Sequence, residues 1–146
     1  VAAIALPAAM TSGASPADAA TRTCGSHTKT AYAYRYDVSN PSNRYARVSM
    51  TIAWCAQRTS SGGYRLTSAS CTVERAAMRS KTTLDGSMAK RQLGGKGTDR
   101  FLCDASQGWK LDRTFPIRDQ RARPAVHVAW NNGRITYSVA EHGVFQ

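Results

Sequence analysis

The four cysteines, Cys24, Cys55, Cys71 and Cys103, constrain this chain more than any other feature. None belongs to a C-x-x-C pair, and His27, His127 and His142 lack the paired spacing of a zinc module. An even set of this kind reads as two disulfides, with three possible connectivities. Disulfides persist in oxidising compartments, and the N-terminal residues agree with export. Residues 1–10 (VAAIALPAAM) are apolar and uncharged, and a Thr/Ser/Gly/Pro-rich stretch leads to Ala17-Asp18-Ala19. Those alanines are the small residues of a signal-peptidase site. A basic leading region is absent, so residues 1–19 read as the remnant of a signal peptide. Residues 20–146 then read as a single secreted β-domain, because 146 residues divided in two would leave cores too small to be stable. No apolar run approaches the length of a membrane span.

Alternation of side chains narrows the cysteine pairing. Val48, Met50, Ile52 and Trp54 alternate with Arg47, Ser49, Thr51 and Ala53, the period of a half-buried strand. Ser61-Gly62-Gly63-Tyr64 supplies a two-residue turn, and residues 64–73 form the return strand. In that register Trp54 faces Cys71, Ile52 faces Val73 and Cys55 faces Ser70. Cys55 and Cys71 then point to opposite sides of the sheet and cannot bond. A longer loop through Arg58-Thr59-Ser60 would shift the register and remove this argument. The expected bonds are Cys24–Cys55 and Cys71–Cys103. Each closes a loop of roughly thirty residues, worth about 3.7 kcal/mol in loop-closure entropy.

Strand signals recur along the rest of the chain. Thr30, Tyr32, Tyr34, Tyr36 and Val38 alternate with Ala31, Ala33, Arg35 and Asp37, and Asn40-Pro41-Ser42-Asn43 ends that run with turn formers. Trp109, Leu111, Phe115 and Ile117 share a period of two, interrupted by Arg113. Asn132-Gly133 is a type I′ turn pair that places Trp130 across from Ile135, Val128 from Tyr137 and Val126 from Val139 on one face. Residues 75–93 read either as a hairpin turned at Asp85-Gly86 or as a short helix capped by Ser87. Gly94-Gly95-Lys96-Gly97 reads as a flexible loop. The expected fold is all-β, a small antiparallel β-sandwich or barrel built from hairpins. The run Ile52-Ala53-Trp54-Cys55, then Leu66-Thr67-Ser68-Ala69-Ser70, the later lone Cys103 and the C-terminal hairpin resemble a pattern in small secreted proteins of high-GC Gram-positive bacteria. That resemblance implies a secreted β-domain and no particular activity.

Several chemistries are excluded by inspection. There is no G-x-S-x-G elbow, H-E-x-x-H helix or EF-hand loop. Lys90 and Gly97 stand where a P-loop needs glycine and Ser/Thr, and proline in Asn40-Pro41-Ser42 abolishes the glycosylation acceptor. Asp37, Asp85, Asp99 and Asp119 adjoin arginine or turn residues and read as surface ion pairs rather than a paired-carboxylate site. Metal-independent RNA cleavage needs a base, an acid and a cation, for which His127, His142 and Lys110 or Lys96 are the candidates. No residue pattern points to a metal or a cofactor.

Charge is the largest departure from average. Twenty Lys and Arg oppose nine Asp and Glu, for a formal net charge of +11. Residues 75–100 concentrate cations, and Arg79, Lys81, Lys90, Arg91, Lys96 and Arg100 are the candidate binding residues. Lys110, Arg113, Arg118, Arg121 and Arg123 form a second cluster. Clustered cations bind polyanions through counterion release without a unique pocket. The alternative is a solvated surface whose arginine excess reflects genomic base composition. Tyr32, Tyr34 and Tyr36 form a stripe that is either the edge of the core or a stacking surface for sugars or bases. Trp54, Trp109 and Trp130 lie on apolar faces and read as core. The expected function is a secreted, non-enzymatic binding module for an anionic partner: cell-wall polymer, polysaccharide, lipid head group or nucleic acid. The alternatives are a histidine-dependent ribonuclease-like enzyme and an inhibitor or toxin-type domain that binds another protein.

Overall fold

Alternation extends furthest in the first half of the chain, where three long strands pair antiparallel in the order β1-β2-β3: β1 (Arg22–Tyr34), β2 (Arg44–Arg58) and β3 (Tyr64–Ala77). The computed structural model describes residues 22–37, 39–141 and 143–145. The expected signal segment and His142 lie outside them. The remaining strands are β4 (Thr82–Leu84), β5 (Ala89–Gly94), β6 (Arg100–Ser106), β7 (Trp109–Leu111), β8 (Gln120–Ala122), β9 (Ala125–Asn131), β10 (Arg134–Ala140) and β11 (Gly143–Phe145). They form two four-stranded sheets, β10-β9-β6-β5 and β11-β8-β7-β4. The described residues contain no α-helix, and none forms a helix long and apolar enough to cross a membrane.

The β1-β2-β3 and β10-β9-β6-β5 sheets face each other across the main core. Ala31, Val48, Met50, Ile52 and Leu66 from the first sheet meet Phe101, Val126, Val128 and Trp130 from the second, all buried. Cys71–Cys103 crosses between the sheets inside this core, and Cys24–Cys55 joins β1 to β2. A second cluster packs Ala33 of β1 and Tyr45 and Ala46 of β2 against Trp109, Leu111 and Ala122 of the third sheet.

The disulfides form as expected, although the register behind the argument differs. Ile52 pairs with Cys71, Trp54 with Ala69 and Cys55 with Ser68, two residues away from the expected alignment. The connection is the longer one, residues 59–63, closed by Thr59 and Gly63. A bulge at Cys55/Ala56 absorbs Thr67, whose hydroxyl donates to the Cys55 carbonyl at 3.2 Å. A shift of two residues preserves the alternation of faces, so Cys55 and Cys71 still point apart.

The C-terminal hairpin has the expected register throughout, and Asn132 and Gly133 have φ of 49° and 95°, as a type I′ turn requires. Residues 75–93 form neither a hairpin nor a helix. Chain direction changes around Gly86, φ 81°, but β4 and β5 enter different sheets. The glycine loop is tied down rather than flexible. Gly97 and Thr98 exchange backbone hydrogen bonds of 2.8 Å with Leu66, and a Cβ at Gly94 would meet the Arg100 carbonyl at 2.3 Å. The period of two at residues 109–117 stops after β7, leaving Phe115 and Ile117 in a loop. The tyrosine stripe also breaks up: Ala31 and Ala33 face the core, Tyr34 is buried, and Tyr36 leaves the strand with φ 60°. Trp109 and Trp130 are buried, while Trp54 is half-buried over Gly25.

Candidate anion-binding face

The residues that fall at alternate positions set what each outer face of the sandwich presents. On the β1-β2-β3 sheet, Thr28, Thr51 and Thr72 form one row and Thr30, Ser49 and Glu74 the next. The Thr28 and Thr51 hydroxyls are 2.7 Å apart, and Thr30 hydrogen-bonds to Ser49. Hydroxyls dominate the centre of this face, with Glu74 and Arg47 beside them and Arg22 and Arg65 toward one end.

The outer face of β10-β9-β6-β5 carries charge. Phe101, Cys103 and Ala105 point into the core, so Arg100, Leu102, Asp104 and Ser106 point out. Register then aligns Arg91, Asp104, His127 and Ser138 in one row across all four strands. A second row, Arg100, Asn131 and Arg134, crosses β6, β9 and β10. At a rise of about 3.3 Å per residue the two rows are about 13 Å apart. Among the described residues of these four strands, Asp104 is the only acidic side chain.

Both oxygens of Asp104 are engaged. Oδ1 bonds to His127 Nδ1, while Oδ2 accepts from Arg91 Nε at 2.9 Å and Nη2 at 2.5 Å. Partial burial alone would raise the Asp104 pKa, but the hydrogen bonds from His127 and Arg91, together with their charge, outweigh it and hold the carboxyl below its ordinary range. A carboxyl with a lowered folded-state pKa adds stability above the ordinary carboxylate pKa of about 4, lost as pH falls through the folded value. The melting temperature of Asp104→Asn should therefore lie below that of the unsubstituted chain at neutral pH, with the gap closing under acid conditions. A gap that widens on acidification would contradict this network.

Beside the row, Ala89, Ser106, Ala125 and Ala140 provide a floor of small side chains. The result is a cleft of about 320 Å³, also lined by Arg91, Asp104 and His127. Arg123 reaches the Ser106 hydroxyl at 3.1 Å and the Ser87 carbonyl at 3.1 Å. The cleft is thus apolar below with arginine and histidine around it, and suits an anionic group on an apolar or sugar-like body. Among the described residues no group of three His, Cys, Asp or Glu side chains could hold a metal ion.

The six expected binding residues separate in space. Arg91 and Arg100 lie on this face, and Lys96 occupies the β5–β6 turn beside Arg100. Lys90, on the same strand as Arg91, turns the other way and donates to the Cys71 carbonyl at 2.8 Å. Arg79 donates to the carbonyls of Arg44 and Ser42, and Lys81 lies in the β3–β4 link. From the second cluster, Lys110 and Arg121 pair with Asp112 and Asp85 at 3.1 and 3.0 Å. Arg123 comes from the second cluster, whereas Asp104, Arg134 and Ser138 are the members of the face that the sequence clusters miss. His127, considered only as a catalytic residue, belongs to the same row. No protein-family model matches the chain, and neither a curated protein nor a solved structure shows significant similarity to it.

Proposed function

We propose that this protein is a secreted, non-enzymatic module that binds an anionic extracellular or cell-envelope polymer across the outer face of the β10-β9-β6-β5 sheet. The observation that carries this reading is the arrangement of charge on this face. It holds Arg91, Arg100 and Arg134 against Asp104, whose two oxygens its neighbours already occupy, and Asp99, 4.0 Å from Arg100 at the strand end. Arginine in two rows about 13 Å apart, one in the first and two in the second, suits an extended chain of repeating negative charge. Two disulfides support a protein that works outside the reducing cytoplasm. His127 is committed to Asp104, and an ion-pair network explains it without catalysis.

The test is retention on immobilised polyphosphate as a function of salt. Binding should fall steeply with ionic strength, and Arg100→Gln/Arg134→Gln should flatten the slope of log K against log salt by about 1.4 to 1.8. Removing the same charge elsewhere, with Arg47→Gln/Lys81→Gln, should flatten it much less. Salt-independent retention, or equal flattening by the two double variants, would overturn the assignment.

A further inference from the structure

A different surface stands out at the loop of residues 112–119 between β7 and β8. Its base is clamped by charge. Lys110 Nζ lies 3.1 Å from Asp112 and 3.6 Å from Asp119, and Asp119 Oδ1 accepts the Arg113 backbone N–H at 2.9 Å. That backbone bond, with the Lys110 charge adding to it, holds the Asp119 carboxyl below its ordinary range. Within the tip, the Ile117 N–H donates to the Thr114 carbonyl at 2.9 Å. The loop's two acids therefore close its base and leave the tip free of negative charge.

The tip itself is apolar. Phe115 is 91% exposed and Ile117 53% exposed. Next to it Tyr36 is 47% exposed, its hydroxyl accepts from Arg113, and the Arg113 guanidinium lies 4.8 Å from the Tyr36 ring centroid. Arg118, adjacent to Ile117, makes no hydrogen bond or ion pair with the described residues and is exposed. The segment therefore combines an ion-paired base, a tyrosine–arginine contact on its flank and an exposed apolar tip. These are the side-chain classes that suit a bilayer surface, where arginine and tyrosine meet head groups and phenylalanine and isoleucine meet the hydrocarbon edge.

We propose that residues 112–119 form a membrane-docking tip, which places Phe115 and Ile117 at the hydrocarbon boundary of an anionic lipid surface with Arg113 and Arg118 at the phosphates. Charge complementarity selects this partner: the cations flanking the tip, on a chain of net charge +11, are drawn to anionic head groups. Shape points the same way. A convex tip with two apolar side chains falls well short of the roughly 800 Å² per partner of a stable protein interface, whereas a lipid surface deforms around it. This surface is independent of the arginine face described above.

The test is co-sedimentation of the full chain with vesicles of phosphatidylcholine, with and without phosphatidylglycerol. Binding is expected to the vesicles containing phosphatidylglycerol, and Phe115→Ser/Ile117→Ser should weaken it at least tenfold. The same variant should keep its melting temperature, because these side chains are exposed, and should keep its retention on polyphosphate. Arg118→Gln should weaken vesicle binding and leave it less sensitive to salt than that of the unsubstituted chain. No binding to either vesicle would overturn the proposal, as would equal binding by the unsubstituted chain and Phe115→Ser/Ile117→Ser. The second result would assign vesicle binding to the arginine face instead, whereas an unsubstituted chain that binds vesicles through Phe115 and Ile117 but is not retained on polyphosphate would count against that face alone.

Discussion

Replacing Cys71 and Cys103 together by alanine is expected to lower the unfolding free energy by about 4–5 kcal/mol, more than the same change at Cys24 and Cys55. The two disulfides close almost equal loops, with sequence separations of 32 and 31. Loop-closure entropy is therefore the same for both, about 3.7 kcal/mol. Their surroundings differ. Cys71 is 7% and Cys103 0% exposed, and the bond joins two sheets through the main core. Loss of its sulfurs adds a small void among Ile52, Val128 and their neighbours, at about 1 kcal/mol. Cys24 is exposed and Cys55 half-buried, and they link strands already held by a continuous ladder. That pair should cost about 3–4 kcal/mol. Urea unfolding of both double variants gives the comparison, and both m-values should rise as the unfolded chain expands. A larger loss for the Cys24/Cys55 variant would refute the assignment of the extra stabilisation to the core.

What could be read from the residues depended on how local the determining interaction was. Asn132-Gly133 fixes a hairpin register by itself, so every pair from Trp130–Ile135 to Val126–Val139 follows from the turn. The β2–β3 pairing depended on the length of the connection and on a bulge, and neither has a strong sequence signature. The disulfide pairing depends only on the parity of the strands, which a two-residue shift leaves unchanged. The Arg91–Asp104–His127 row was invisible, because it requires β6 to lie between β5 and β9, and no local pattern specifies which strands become neighbours. Charge counting along the chain likewise grouped Lys90 with Arg91, which the strand sends to opposite sides. Phe115 and Ile117 continue an apparent alternation, but Asp119 closes a loop over Arg113 and takes them out of any sheet.

Gln120→Leu should be nearly as damaging as loss of the core disulfide, although it places an apolar side chain in a fully buried position. Gln120 is 0% exposed and bridges the chain where β1 ends. Its Nε2 donates to the Tyr34 carbonyl at 2.8 Å, and its Oε1 accepts the Tyr36 N–H at 3.0 Å. Leucine can do neither, and each backbone group left buried and unpaired costs about 1–3 kcal/mol. Tyr36 holds a left-handed φ of 60°, a conformation that costs a non-glycine residue about 1–3 kcal/mol and persists where its surroundings impose it. The expected loss is therefore about 3–5 kcal/mol, with the Tyr36 amide losing its protection against hydrogen exchange before the amides of β2 do. Gln120→Glu separates the two bonds: the ionised carboxylate keeps the acceptor for the Tyr36 N–H but has no donor for the Tyr34 carbonyl. Protonation at low pH restores that donor, so Tyr36 protection should survive throughout while the stability deficit narrows on acidification. If Gln120→Leu costs under 1 kcal/mol and leaves the Tyr36 amide protected, the side chain fills space there and does not fix the turn that sets Tyr36 against Arg113.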